Sequence, residues 1–238
     1  SPFDKTAVDL LEDLNTPAYK IASFEVIDLP LIKYVAQTRK PMIVSTGMAD
    51  EQEIQEAIET ARDGGCKELA VLHCVSSYPA PAGDYNLRTL VDMQQKFGLI
   101  TGLSDHTIDN ITAITSIGLG ASIIEKHVTL DRKGGGPDDS FSLEYEGLLE
   151  LCVNAKTAWE AIGRVDYGRK SSEQGNVKFR RSLYFTKDIK AGEVITEDHV
   201  KSIRPGYGLA PKYINLVVGK VVKNNISAGT AVTKDIVV

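Results

Sequence analysis

Gly102-Leu103-Ser104-Asp105-His106-Thr107 and Ser122-Ile123-Ile124-Glu125-Lys126-His127-Val128 decide the fold. Each is a short apolar run that closes on charged or imidazole-bearing residues. Three earlier runs end in the same way: Ala18–Phe24 on Ser23-Phe24-Glu25, Met42–Ser45 on Ser45-Thr46-Gly47, and Leu69–Val75 on Ser76-Ser77-Tyr78. Amphipathic patterns of helical period separate the runs: Asp50–Asp63, Leu87–Phe97, Asn110–Leu119 and Leu143–Ile162. A further helix is expected over Lys5–Leu14, with Asp4 as its N-cap and Pro17 beyond its end. Strands alternating with helices of this length make βαβ units and a parallel sheet. A doubly wound sheet and a (β/α)8 TIM barrel both meet that description. Polar groups at every strand end favour the barrel, because barrel active sites gather residues from several strands at their C-terminal ends.

Only five strands are legible, and the part they occupy closes near residue 162. A closed barrel needs eight strands and typically about 250 residues. A partial barrel is therefore expected over residues 1–163, lacking three N-terminal units. Residues 164–177, rich in Gly, Ser and charge, read as a linker. Residues 178–238 change character. Short β-like pieces at Arg181–Thr186, Val200–Ile203, Val217–Val222 and Ala231–Thr233 alternate with turn signals such as Lys190-Ala191-Gly192-Glu193 and Arg204-Pro205-Gly206. A small, irregular, β-rich domain is expected there.

Composition narrows the function. The 238 residues carry 32 acidic and 27 basic side chains, a net charge of −5 that argues against a general nucleic-acid binder. The apolar runs are far shorter than the roughly 20 residues of a membrane span, so no membrane partner is expected. Three cysteines, Cys66, Cys74 and Cys152, with no C-x-x-C spacing, fit a reducing cytoplasm and not a disulfide scaffold.

The strand ends carry the chemistry. His106 and His127 end adjacent strands, and two imidazoles in one cavity suit a divalent metal, with Asp105, Glu125 or water completing its shell. Alternatively, each is a hydrogen-bonded barrel histidine. Lys20 and Lys126 are charges within apolar runs, suited to a Schiff base or to an anion. Alternation places Lys126 opposite Glu125 and His127, which favours a lysine stem outside the barrel under a helix. It also places Lys20 and Ser23 on opposite faces, so both serve one pocket only if the strand stops between them. Ser23, Ser45, Ser76, Ser77 and Ser104 offer uncharged hydroxyl donors for a phosphate or carboxylate, and Glu25 is an acid, base or sugar-hydroxyl acceptor. The loop Lys133-Gly134-Gly135-Gly136-Pro137-Asp138-Asp139-Ser140-Phe141-Ser142 lacks a Walker Gly-Lys-Ser/Thr. It is either a flexible lid carrying Asp138 or a solvated loop.

Taken in order, these stretches resemble the sialic acid synthase family of phosphoenolpyruvate-dependent nonulosonate synthases. The matching segments include Ser1-Pro2-Phe3-Asp4, Tyr19–Glu25, His73–Pro79, Gly102–Thr107, Ile124–His127, Lys187–Glu193 and Ile203–Gly206. Gly135–Leu143 and Arg181–Tyr184 look most like the pseudaminic acid synthases. The resemblance implies a (β/α)8 barrel followed by a small antifreeze-like (SAF) domain. It implies a homodimer in which each small domain caps the partner's active site. It implies condensation of phosphoenolpyruvate with an N-acetylated sugar to give a nine-carbon acid and phosphate, aided by Mn2+ or Mg2+. By motif, His106 and His127 become metal ligands. Lys20, Ser23, Ser45, Ser76 and Ser104 hold phosphoenolpyruvate, with Ser1 adding a contact, and Lys20 and Glu25 are the catalytic candidates. Glu25, Tyr78 and Asp138 hold the sugar, and Arg204 reaches an N-acetyl group across the dimer. The family's first strands, which supply another Glu and Lys, have no counterpart here, so inactivity of this chain alone is an expectation. Competing readings are an N-acetylneuraminate or legionaminate synthase, a Schiff-base aldolase on Lys20, and a non-catalytic module that binds acidic sugars. Ice binding by the small domain conflicts with its charged Lys187, Asp188, Lys190 and Glu193.

Overall fold

The computed structural model describes residues 1–236. Its internal contacts divide the chain into two units, Ser1–Arg164 and Val165–Val238. In the first unit five strands, β1 (Tyr19–Ile21), β2 (Met42–Ser45), β3 (Leu69–Cys74), β4 (Ile100–Asp105) and β5 (Ile123–Lys126), pair in parallel and in chain order. A doubly wound sheet reverses direction at a switch point, where consecutive strands cease to be neighbours. No reversal occurs among the described residues, and the strands form a curled sector of a barrel.

Helices α1 (Lys5–Asp13), α2 (Leu29–Ala36), α3 (Glu51–Asp63), α4 (Thr89–Phe97), α5 (Ile111–Gly118) and α6 (Tyr145–Ile162) alternate with the strands. Asp4 caps α1 by accepting the Ala7 N–H at 2.8 Å. Asp50 and Glu53 form a reciprocal capping box at the start of α3. Helix α2 is absent from the sequence reading, although its signals are present: Asp28 accepts the Leu31 N–H, and Pro30 occupies the first turn, where its missing N–H is harmless. The main core lies between the sheet and α1–α3, where Ile21, Val44 and Val71 meet Val35, Ile58 and Ala61.

Two features of the sheet shape the site. β1 stops at Ile21, and residues Ser23–Glu25 turn into a 3-10 helix, so Lys20 and Ser23 are no longer bound by strand alternation. Gly102 lies between β3 and β5; a Cβ there would strike the Ile123 carbonyl and come within 2.6 Å of Leu72 Cδ2. Only glycine lets the strands approach so closely.

In the second unit β6 (Ser182–Phe185) and β7 (Val200–Ile203) pair antiparallel, and single bridges join Tyr184 to Ala231, Ile189 to Ile226 and Val194 to Val221. Leu183, Phe185, Ile195, Val200 and Val222 form its core. The strand expected over Val217–Val222 is a correction: Val217 closes a short helix, Ile214–Val217, and the β pairing is confined to Val221 and Val222, the latter exchanging backbone hydrogen bonds with Gly192 and Glu193. A brief apolar run does not distinguish helix from strand by periodicity, and Val217 is buried either way. The expected linker is exposed and contains most of a 3-10 stretch, Ser171–Phe179.

Candidate active site

The C-terminal strand ends enclose a cleft of about 410 Å³ lined by residues from β1, β2, β4 and β5 and by the loops that follow β1 and β3. A larger groove of about 680 Å³ lies between α5, α6 and the start of β5. Its walls are mainly apolar, including Ile117, Ile124 and Trp159, and it holds no cluster of titratable groups, so the chemistry belongs to the smaller cleft.

One side of that cleft is built for an anion. The 3-10 turn after β1 turns Ser23 inward, where its Oγ accepts the Ser76 hydroxyl at 2.9 Å. Gly47, at φ +50°, permits this approach; a Cβ there would strike Ser23 and lie 2.6 Å from Ser76 Oγ. Ser104 donates to Glu125 Oε1 at 2.8 Å, and Lys20 Nζ lies 3.4 Å from the same oxygen. Ser45 Oγ and Glu25 Oε2 are buried in the cleft wall with no protein partner. Buried polar atoms are rarely left unpaired, so both point to something bound. Ser1 lies at the margin beside Phe3. Ser77 instead donates to its own loop, at Pro79 O.

On the other side are the aromatic groups. The ring centroids of His106 and His127 lie 5.3 Å apart. Tyr78 packs on His106 at 4.3 Å, and Phe141 on His127 at 5.1 Å. His106 Nδ1 lies 2.7 Å from the Val75 carbonyl, so this nitrogen is assigned the proton and Nε2 keeps its lone pair. Burial pushes the His106 imidazole below its ordinary pKa range, against the Val75 bond, which favours the neutral form. Burial also raises the Tyr78 phenol, keeping it protonated. Asp138 Oδ2 reaches within 3.4 Å of His127 Nδ1.

This donor set suits a divalent metal in part. A neutral imidazole with its second nitrogen tied to a backbone carbonyl is the usual arrangement of a metal-ligating histidine. Among the described residues, however, no group of three or more His, Cys, Asp or Glu is arranged to hold an ion. Two imidazoles with water and substrate is therefore the shell these residues fit. Asp105 is a correction to the sequence reading: it is fully buried, with its carboxylate taken up by Lys126 and Thr107. Lys126 lies opposite Glu125 and His127 as alternation requires, in that ion pair.

The Gly-rich loop folds around Asp139, which accepts from Thr129 Oγ1 at 2.6 Å and from the Gly136 N–H at 2.7 Å. Arg204 follows β7 in the second unit and is exposed. Sequence reasoning overlooked Phe141 and Tyr85. Phe141 is an aromatic residue inside a polar loop, which was its signal. The buried Tyr85 hydroxyl accepts the His106 backbone N–H at 2.7 Å, a long-range contact with no local signature.

Hydroxyls, an ammonium and paired imidazoles at the ends of consecutive parallel strands define a (β/α)-barrel enzyme that handles an anionic substrate. Comparison with known proteins makes this specific. Residues 1–167 match the NeuB family and residues 180–238 the SAF domain. A pseudaminic acid synthase of Helicobacter pylori is 40% identical over 99% of this chain and 69% of its own length. An N,N'-diacetyllegionaminic acid synthase of Campylobacter jejuni is 38% identical over 94% of this chain and 68% of its own. The crystal structure of the spore coat polysaccharide biosynthesis protein SpsE of Bacillus subtilis superposes with a TM-score of 0.64 at 32% identity, covering 100% of this chain and 72% of that one. The chain belongs to the NeuB family.

Proposed function

We propose that this chain carries the substrate cleft of a phosphoenolpyruvate-dependent nonulosonate synthase of the pseudaminic acid type. The observation that carries the reading is the pair of orphaned buried atoms, Ser45 Oγ and Glu25 Oε2, in a cleft that also holds Lys20 and the serine hydroxyls. Phosphoenolpyruvate takes the anion side, its charges met by Lys20 and by Ser23, Ser45, Ser76 and Ser104, with Ser1 at the margin. Its C3 forms the new bond to the aldehyde carbon of an open-chain N-acetylated sugar. Water adds at C2, and the resulting tetrahedral centre expels inorganic phosphate to leave a 2-keto acid. A divalent cation, Mn2+ or Mg2+, held by His106 and His127, supplies Lewis-acid polarisation of the aldehyde when bound. Glu25 accepts a sugar hydroxyl, Tyr78 covers the ring, and Asp138 reaches in beside His127. Lys20 donates to the Ile21 carbonyl and sits beside the Glu125 carboxylate, which suits a point charge and not a Schiff-base amine.

The working form in this reading is a cytoplasmic homodimer in which the small domain of one subunit brings Arg204 to the other's cleft. Three free cysteines support the reducing compartment. Among the described residues no helix is long and apolar enough to cross a membrane. The test is phosphate release from phosphoenolpyruvate with a panel of N-acetylated sugars, with Mn2+ or with chelator. Metal-dependent release with a 6-deoxy di-N-acetylated sugar supports the pseudaminic type. Release only with other stereoisomers transfers the protein to the neuraminate or legionaminate branch. Sugar binding without release in any condition favours the non-catalytic module.

A further inference from the structure

Asp105 and Lys126 form an ion pair whose side chains are 0% and 3% exposed. They are register partners on β4 and β5, and each immediately precedes one imidazole of the cleft. Lys126 Nζ lies 2.7 Å from Asp105 Oδ2, 2.7 Å from the Thr107 carbonyl and 2.6 Å from the Asp109 carbonyl. An ammonium has three N–H donors, and these three acceptors use them all. Asp105 in turn accepts from the Thr107 N–H at 2.9 Å and from its hydroxyl at 3.1 Å. Lys126 therefore has no donor free for a ligand, and the loop leaving His106 is fastened to the strand that carries His127. Stability alone is a weak reason for such a pair, since apolar residues of similar volume usually serve as well.

We infer that Lys126, through Asp105, is a positioning residue that sets how the His106 and His127 rings face each other from the opposite side of the sheet. The inference rests on the reading of those imidazoles as a metal pair. Alternation turns Asp105 and Lys126 one way and His106 and His127 the other, so a shift of either strand moves a ring.

The experiment compares the parent chain with the double variant Asp105→Leu/Lys126→Met, which removes both charges and strands neither. Three quantities are read: the urea midpoint, the imidazole 15N–1H spectrum of the metal-free protein, and Mn2+ binding by loss of the free-ion EPR signal. The expected result is cooperative unfolding, loss of the single Nδ1–H tautomer of His106, and Mn2+ affinity lowered about 10- to 100-fold. A folded double variant with the parent's ring spectrum overturns the inference and leaves the pair purely structural. If the parent binds no Mn2+, the metal reading fails, and the ring spectrum still decides the positioning role. If the double variant does not fold, Lys126→Arg takes its place. Its planar fork does not direct three N–H groups from one atom, so it is expected to disturb the rings while keeping the charge.

Discussion

At the scale of single residues, chemistry and conformation coincide at Gly47 and His106. Gly47 combines a positive φ with Ser23 and Ser76 pressed against it. Gly47→Ala is expected to cost roughly 1–3 kcal/mol of stability and to part the two hydroxyls. Urea denaturation and phosphoenolpyruvate binding check both effects, and unchanged binding would show that the Ser23–Ser76 contact does not matter to the ligand. His106 and His73 are both held by burial below their ordinary range, so the folded state favours the neutral rings. Their contribution is present above the unfolded value near 6.5 and is lost as pH falls through it, because the unfolded chain protonates first. The urea midpoint is expected to drop between pH 7.5 and 5.5, and His73→Leu/His106→Asn to flatten that drop. Equal slopes in parent and variant would contradict it. The polar residues in apolar runs were legible at this scale because an interrupted strand stands out. The bond from the His106 N–H to the Tyr85 hydroxyl was not, since its partners meet only after β3 and β4 pair.

Elements were legible where local signals agreed and obscure where they competed. α3 has an N-cap, a capping box and a consistent apolar stripe of Ile54, Ala57, Ile58 and Ala61, and its observed span differs from expectation only by the cap residue. Asp50→Ala is expected to remove about 1 kcal/mol, seen as a lower thermal midpoint with the cleft unaffected; a loss of phosphoenolpyruvate binding instead would tie α3 to the site. β1 was harder, because Ala22-Ser23-Phe24 continues an apolar run that the backbone abandons at Ile21 for a 3-10 turn. That early stop brings Lys20 and Ser23 to one cleft. The same ambiguity turned an expected strand at Val217 into a helix end.

For the whole molecule, the order of strand pairing defines the architecture of the first unit. Strands that pair in chain order, each ending in polar groups, form a barrel sector with one shared set of strand ends. The sequence revealed that arrangement because each βα unit is short and self-contained. Alternation already turned Lys126 away from Glu125 and His127, but it did not show that Asp105, read as a candidate metal-site carboxylate, is its buried partner; that pairing depends on the register of β4 and β5. Binding of phosphoenolpyruvate at these strand ends is checked by calorimetric titration into the chain, parent against Lys20→Met. Saturable binding by the parent, weakened at least about tenfold by loss of the charge-assisted contact, is the predicted result. No binding by the parent, or equal binding by both proteins, would contradict it.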